Sequence, residues 1–297
     1  MKAFLRARPA DSLTVAFLIA LIVISVIFQG KLPHFKLLIG IYGVLLMLQL
    51  FIISRSGMFN RNRFLDITRS LIFPTICVLA IFDSLELIVH NINPQDIDPL
   101  LIRLDYALFG GHPTVMLEAF QNPLVTDILQ MAYSSYYFLP LGLGLILKVK
   151  NRDADFDKAL FCILLCFYLS YIGYIIFPAL GPRFTINHLQ NGELKGLFVA
   201  EAVQELLNRL EGIKRDAFPS GHTGVALVVS GLAYRMSRVY FYFSLPVIVL
   251  LILSTVYCRY HYVVDVIGGF LLAVVTLVIG RGYYVYWEGR KSINHRR

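Results

Sequence analysis

The chain of 297 residues is 57% hydrophobic and 13% aromatic, and only 15% of its side chains are charged. This composition excludes an ordinary soluble domain, and the uncharged runs are long enough for helices that cross the roughly 30 Å hydrocarbon layer of a bilayer. The formal net charge of +8 does not indicate nucleic-acid binding, because the basic residues lie between the apolar runs, as membrane topology requires.

Eight apolar runs predict an all-α fold, a polytopic integral membrane helix bundle of about eight transmembrane helices. The runs are Leu13–Phe28, Leu37–Ile53, Leu71–Val89, Val125–Leu147, Ala159–Phe177, Thr223–Tyr234, Tyr240–Tyr257 and Val264–Tyr283. Residues 98–121 are amphipathic and broken by Gly and Pro, which favours interfacial helices. Residues 197–212 have apolar positions at helical spacing, which predicts a surface helix over the outer side.

The basic residues are unevenly distributed between the two sides of the membrane. If the N-terminus is cytoplasmic, 18 of the 27 Lys and Arg residues fall in cytoplasmic segments. The positive-inside rule therefore predicts that both termini are cytoplasmic. The loops after the fifth and seventh runs then lie on the non-cytoplasmic side, which is periplasmic, extracellular or luminal.

Three polar clusters stand at the outer ends of these runs. They read FPALGPRF at 177–184, FPSGHT at 218–223 and YCRYHYVVDVIGG at 257–269. Ionisable residues at membrane depth are costly and commonly functional. Because the topology brings all three clusters to one face, the sequence predicts that they form one pocket.

The first two clusters have the groups that an anion needs. Ser220 and Gly221 precede a helix, whose free amides and positive dipole end attract anions. Arg183 and Arg259 supply guanidinium donors suited to phosphate oxygens. Arg183 could instead anchor a helix end in the headgroup layer. Arg259 precedes His261 by two residues, so its role requires a non-helical turn.

The two histidines predict phosphoryl transfer. His261 and Asp265 are one helical turn apart, so the carboxylate can bond one ring nitrogen and leave the other nucleophilic. Protonation of a leaving oxygen suits a side chain of the histidine type, which ordinarily titrates near neutral pH, so His222 is the candidate proton donor. This chemistry requires no metal ion and no cofactor. The alternatives are that His222 and Asp265 are helix caps.

The PSGHT motif, followed 39 residues after its histidine by the His-x3-Asp pair, resembles the second and third signature motifs of the type-2 phosphatidic acid phosphatase superfamily. The resemblance implies a six-helix catalytic core and a phosphohistidine formed on His261, which Asp265 orients. It also implies that His222 protonates the leaving group, while Ser220–Gly221 and Arg183 hold the phosphate.

The first and third motifs depart from the usual pattern of that superfamily. Ile176 stands where its first motif has a lysine, and Thr255 where its third motif has an arginine. With LDYALFGGHP at 104–113 and two additional N-terminal spans, the chain is similar to the inositol phosphorylceramide synthase branch, which transfers a phospho-headgroup between lipids. By this resemblance, Asp105 and His112 are headgroup contacts, although a solvated interfacial face is an alternative.

The sequence thus predicts a lipid phosphotransferase or phosphatase with a membrane lipid phosphate as substrate and an alcohol or lipid as possible acceptor. A hydrolytic lipid phosphate or prenyl diphosphate phosphatase is one alternative, and an anionic-lipid transporter is another. The predicted units are residues 1–68 with two additional spans, 69–124 with the third span and interfacial helices, 125–287 as the catalytic core, and 288–297 as a basic cytoplasmic tail.

Overall fold

All regular secondary structure in the described residues of the computed structural model, which are 7–59, 62–210 and 214–294, is helical. The main helices, in chain order, are α1 (Pro9–Ile27), α2 (Phe35–Ser54), α3 (Arg63–Ile92), α4 (Asp98–Phe109), α5 (Pro123–Ser134), α6 (Phe138–Val149), α7 (Asp153–Ile176), α8 (Ala200–Leu210), α9 (Gly221–Met236), α10 (Arg238–Tyr257) and α11 (Val263–Asn294). Within the described residues, six of these are long and apolar enough to cross a membrane, namely α1, α2, α3, α7, α10 and α11. The prediction of an all-α membrane bundle is confirmed.

The fourth and sixth predicted spans differ from regular long helices. The fourth consists of α5 and α6, which are joined by a 3-10 turn at Ser135–Tyr137. Pro140 lies one turn after this point and has no N–H for the carbonyl of Tyr136, which explains the interruption. The sixth span, α9, has 16 residues. The fourth and sixth predicted spans are thus helical in the structure, although neither is a single long helix.

The third span, α3, is a composite helix. A π-helical turn at Thr68–Ile72 precedes a regular segment, Phe73–Ser84, and a 3-10 turn at Leu85–Leu87 leads to the last segment, Val89–Ile92. Pro74 cannot donate to the carbonyl four residues earlier, and a single π turn is a common way to accommodate such a gap.

Helices α7 and α9 form the centre of the bundle. Helix α7 packs against α1, α6, α9 and α11, and α9 packs against α6, α7, α10 and α11. Helices α9 and α11 approach closely at two glycines. A side chain on Gly269 would lie 2.5 Å from the carbonyl of Ser220, and one on Gly224 would lie 2.9 Å from Leu272. The small residues therefore allow the start of α9 to contact the start of α11.

Short elements connect the main helices. Single turns lie at Ser56–Phe59, Pro113–Met116, Leu117–Phe120, Pro182–Thr185 and Asn187–Leu189. The predicted surface helix at 197–212 corresponds to α8, and residues 211–213 are not among those described. The predicted basic tail, 288–297, begins inside α11; its last three residues, and residues 1–6 of the N-terminal unit, also lie outside the described ranges.

Candidate active site

The outer ends of α9 and α11 meet in the PSGH segment. The side chain of Ser220 caps α9, accepting from the amide of Thr223 at 3.3 Å, and the backbone N–H of Ser220 donates to the carbonyl of Asp265 at 3.0 Å. Gly221 is buried, and a side chain there would collide with the hydroxyl of Tyr174. The structure therefore brings Ser220 and Gly221 against the His-x3-Asp segment, as the sequence predicted.

His261 lies in the turn between α10 and α11, where its ring is buried. Its Nδ1 is 2.8 Å from the carbonyl oxygen of Ala217 and 3.5 Å from Oδ2 of Asp265. A carbonyl can only accept, so Nδ1 carries the proton and the lone pair lies on Nε2. The sequence predicted Asp265 as the partner of this ring, but the shorter contact is to Ala217.

The protonation state of His261 follows from this environment. Burial lowers the pKa of His261 from 6.5 to about 4, while the negative charge of Asp216 and the bond to Ala217 act in the opposite direction. Burial disfavours the charged imidazolium and dominates here. His261 is therefore neutral at physiological pH, which is the state that a nucleophilic nitrogen requires.

Asp265 supports the turn rather than bonding the ring closely. Its Oδ2 accepts from the backbone N–H of Tyr262 at 2.8 Å, within the turn that presents His261. Its Oδ1 is buried and has no hydrogen-bond partner among the described residues. The oxygen of Asp265 that lies 3.5 Å from the ring is thus the one that also holds the turn.

His222 occupies the first turn of α9. Its ring lies between Tyr133 and Tyr136, with centroid distances of 4.2 and 4.1 Å, and its centroid is 5.8 Å from that of His261. Its Nε2 is buried and has no hydrogen-bond partner in the described part of the chain. The two tyrosines, which sequence reasoning did not identify, restrict the ring to a plane beside His261.

Arg183 lies on the turn Pro182–Thr185, with its guanidinium 5.0 Å from the ring centroid of Tyr260. Its backbone N–H donates to the carbonyl of Arg259 at 3.0 Å. Gly181 has a φ of +86°, and a side chain there would lie 2.5 Å from the Tyr260 carbonyl, so this turn requires glycine. Since Arg259 and Tyr260 directly precede His261, these two contacts join the arginine turn to the histidine turn.

Arg259 is directed to another part of the outer face. Its backbone has a φ of +66°, so the turn is non-helical, as its predicted role required. Its guanidinium donates to Glu118 at 2.9 Å and to the carbonyl of Gly192 at 2.8 Å. These bonds attach the outer loop to the turn before His261. Phosphate binding by Arg259 stays a prediction.

The two predicted headgroup contacts lie on and beside α4. Asp105 is buried, and its two carboxylate oxygens accept from the amides of Val263 and Val264 at 3.0 and 2.9 Å. It therefore caps α11, and both of its oxygens are occupied. His112 packs against Tyr106 with a centroid distance of 5.5 Å. The structure does not place either residue beside the rings of His222 and His261.

Two acidic residues that sequence reasoning missed lie beside the loops of the site. Asp98 accepts from the amides of Leu180 and Gly181, both at 2.9 Å, and from the hydroxyl of Tyr262 at 3.0 Å. Asp216 lies next to Ala217, and its charge acts on His261 and Arg183. The sequence offers only a weak signal for each: Asp98 stands beside an amphipathic segment, and Asp216 stands just before the PSGH motif.

A cavity of about 560 Å³ leads from this site into the bundle. It lies between α3, α6 and α7, and its lining is almost entirely apolar, with Asp216 and His222 among the few polar residues. Apolar pockets with a small number of placed polar groups are typical of ligand sites. The cavity thus connects His222 with the hydrocarbon region of the bundle.

No group of three or more His, Cys, Asp and Glu side chains in the described residues is arranged to hold a metal ion. Metal independence of the reaction stays a prediction.

Comparisons with known proteins agree with this geometry. The family model described as the PAP2 superfamily matches residues 99–279, which is more than half of the chain. A PA-phosphatase related-family protein of Dictyostelium discoideum is 26% identical over 199 residues, which cover 60% of this chain and 36% of that protein. The chain thus spans about a third of the length of that relative. No solved structure matches the chain.

The matched range contains all three polar clusters, together with α7, α9 and α10 and the first part of α11. The chain therefore belongs to the PAP2 superfamily.

Proposed function

We propose that the protein transfers the phosphoryl or phospho-headgroup of a membrane lipid to an acceptor through a phosphohistidine on His261. The single observation that carries this proposal is the pair of buried imidazoles with centroids 5.8 Å apart, one of which has its Nδ1 fixed by the carbonyl of Ala217. A neutral imidazole with a free Nε2 is a nucleophile, and the second imidazole is within range to move the proton.

The reaction has two balanced steps. In the first, Nε2 of His261 attacks phosphorus, the N–P bond forms, and the P–O bond to the lipid breaks while protonated His222 gives its proton to the leaving oxygen. In the second, an acceptor hydroxyl attacks phosphorus, the N–P bond breaks, and His222 takes the acceptor's proton. Asp265 stabilises the positive charge that develops on His261, and Arg183 stabilises the phosphoryl oxygens.

The substrate is a lipid whose hydrocarbon part lies in the apolar cavity that leads to His222. This assignment is supported by the cavity's volume of about 560 Å³ and by its apolar lining on α3, α6 and α7. The positive-inside distribution of Lys and Arg supports a reaction on the non-cytoplasmic face. A transferase of the inositol phosphorylceramide synthase kind and a phosphatase would share the phosphohistidine step. They differ only in the acceptor, which is an alcohol or lipid for the transferase and water for the phosphatase.

Labelled lipid phosphate supplied to the purified protein tests the proposal. Water as acceptor releases free labelled phosphate, whereas inositol, glycerol or a lipid alcohol as acceptor becomes labelled. EDTA should change neither rate. With sealed, right-side-out vesicles, a membrane-impermeant phosphate ester should be consumed from outside, and consumption only after permeabilisation would overturn the sidedness.

Two histidine variants separate the two roles. His261→Ala should abolish both turnover and trapping of labelled, acid-labile phosphoprotein. His222→Ala should lose turnover of alkyl phosphates but still become phosphorylated by an aryl phosphate, whose leaving group needs no proton. His188, exposed in the outer loop, provides the control His188→Ala, which should behave as wild type. Wild-type turnover by His261→Ala would refute the mechanism.

A further inference from the structure

A second cavity, of about 500 Å³, lies at the opposite end of the bundle from the histidines. The starts of α1, α3 and α7 and the ends of α2 and α6 border it, and most of its lining side chains are ionisable. Helix α7 separates the two sites. Asp157, in its second turn, lines the cavity, whereas Tyr174, near its other end, lies against Gly221. At 1.5 Å per residue these points are about 25 Å apart, so the cavity takes no part in the proposed reaction.

Two of the three basic residues that line this cavity in the described part of the chain are paired with carboxylates. Arg8 donates to Asp11 through Nε and Nη2, both at 3.0 Å. Nζ of Lys148 donates to Asp66 and to Asp153, both at 2.7 Å. The positive charges of Arg8 and Lys148 are therefore balanced within the protein.

Arg69 is the third basic residue of the cavity, and it forms no ion pair with a carboxylate of the described residues. It is only 6% exposed, and its Nη1 donates to the carbonyl of Ser56 at 3.4 Å. Its Nε is buried and has no hydrogen-bond partner within the described ranges. A guanidinium group keeps its charge in proteins, and a buried charge without a partner is costly. Arg69 thus presents an unmatched positive charge to the cavity.

Asp157 is the acidic counterpart of Arg69 on the cavity wall. Its ion pair in the described structure is a contact of 3.7 Å with Arg8, whose stronger bonds go to Asp11. Asp157 and Arg69 both line the cavity, but no ion pair joins these two described residues. A ligand with one anionic and one cationic group can therefore bridge them.

We propose that this cavity binds a phosphodiester that carries an amine, which is the chemistry of a glycerophosphoethanolamine group. The forked donors of Arg69 suit two phosphate oxygens, and an ammonium group suits the carboxylate of Asp157. Such a ligand has no net charge, whereas a phosphate monoester dianion would be repelled by the four carboxylates of the lining. The volume of the cavity lies within the roughly 300–1,000 Å³ of small-ligand sites. The ligand comes either from a membrane lipid or from the soluble ester, and the proposal does not depend on the proposed function.

Calorimetric titration of the purified full-length protein with soluble glycerophosphoethanolamine, in an uncharged detergent, tests the anionic arm of the site. Wild type should bind one equivalent, and Arg69→Gln should bind at least about tenfold more weakly, because a charge-assisted pair is lost. Arg63→Gln removes an exposed arginine about two turns earlier on α3 and should retain the wild-type affinity. Arg183→Gln, at the other end of the bundle, should retain it as well. Loss of binding in Arg183→Gln but not in Arg69→Gln would place the ligand among the histidines and overturn the inference.

A ligand without the amine tests the acidic arm. Wild type should bind glycerophosphoglycerol about tenfold more weakly than glycerophosphoethanolamine, and Asp157→Asn should abolish this preference by weakening only the amine ligand. Equal affinity of wild type for the two ligands would refute the role of Asp157 and with it the proposed ligand class.

Hydrogen exchange of wild type distinguishes the two sources of the ligand and requires no variant to fold. In nanodiscs of phosphatidylglycerol, added glycerophosphoethanolamine should slow exchange at residues 63–72 and 153–157 if the soluble ester is the ligand. If the lipid is the ligand, phosphatidylethanolamine in the nanodisc should slow exchange at the same residues and suppress the effect of the soluble ester. Folded wild type that shows neither protection nor heat of binding would overturn the inference.

Discussion

At the scale of single residues, the protonation state of His261 depends on a hydrogen bond to an uncharged partner, the carbonyl of Ala217. A carboxylate bonded directly to the ring would favour the imidazolium, whereas the carbonyl of Ala217, at 2.8 Å, fixes the Nδ1–H tautomer without adding a full charge. Asp265, at 3.5 Å, lies far enough to leave the resting ring neutral and near enough to stabilise the cation that the proposed phosphorylation would form. For the proposed mechanism, the site thus favours a neutral His261 before reaction and a charged one after it.

The pH profile should report this arrangement. The nucleophile requires an unprotonated Nε2, so activity should fall as pH decreases through the pKa of His261, which burial lowers to about 4. We therefore expect kcat/KM for a water-soluble phosphate ester to show no acid limb from His261 at its ordinary value near 6.5. Circular dichroism at each pH checks that the fold persists.

An acid limb with a midpoint near 6.5 would contradict this expectation. If the His188→Ala variant showed the same acid limb, the limb would come from a group in the site and not from the exposed His188. Its presence would mean that His261 is solvated before substrate binds, and that the bond to Ala217 does not set its protonation state.

At the scale of elements, three carboxylates hold the outer loops on the helices. Asp98 binds the turn before Arg183, Asp105 caps α11, and Asp127 of α5 holds the start of α8. Each accepts backbone N–H groups that have no partner within their own helix or turn. The turns that carry Arg183 and His261 are thus positioned by caps from distant helices, in addition to their own sequence.

Asp127 offers the sharpest test of this positioning. Its two oxygens accept from the amides of Leu197, Phe198, Val199 and Ala200, at 3.0, 2.9, 3.2 and 2.8 Å. Asp127→Asn replaces one acceptor with an NH₂ donor, so two of these bonds are lost and donors face donors. Hydrogen exchange in residues 197–200 should accelerate roughly tenfold or more.

Helix α8 covers the cavity through Val203, so the same variant should raise KM for the lipid substrate more than it lowers kcat. A peptide within α10 provides the internal control and should exchange at the wild-type rate. Unchanged exchange at 197–200 would show that α8 is held by its packing on α5 instead.

The sequence predicted the helical spans far better than the side-chain contacts between them, for a physical reason. Apolar runs and motifs are local, so the spans and the grouping of Arg183, His222 and His261 could be derived from hydropathy and topology. The contact of Ala217 with His261 joins residues 44 apart, and the stacking of Tyr133 on His222 depends on how α5 packs against α9. Such contacts arise from tertiary packing, which no local pattern encodes.

At the scale of the whole molecule, the bundle separates the charged and apolar parts of the site. The polar groups gather where α9, α10 and α11 meet at their outer ends, whereas the cavity continues between α3, α6 and α7. The breaks in α3 and between α5 and α6 border this cavity, with Ser70, Leu71 and Tyr137 in its lining. The proline-induced interruptions thus border the cavity that the proposed hydrocarbon chain would occupy.

Filling the cavity should change the choice of substrate without changing the chemistry. Leu141 of α6 is half-buried and lines the cavity, and Leu141→Trp places a larger ring in the path of a hydrocarbon chain. We expect kcat/KM for a long-chain lipid phosphate to fall about tenfold, or about 1.4 kcal/mol, because the chain loses part of its apolar burial. A short-chain phosphate that reaches only the histidines should be turned over at the wild-type rate.

Leu145, one turn further along α6 and 47% exposed, provides the control Leu145→Trp, which should leave the turnover of both substrates unaffected. Equal losses for the long and the short substrate in Leu141→Trp would show that the cavity does not hold the lipid chain, since only a perturbation of the shared site would affect both.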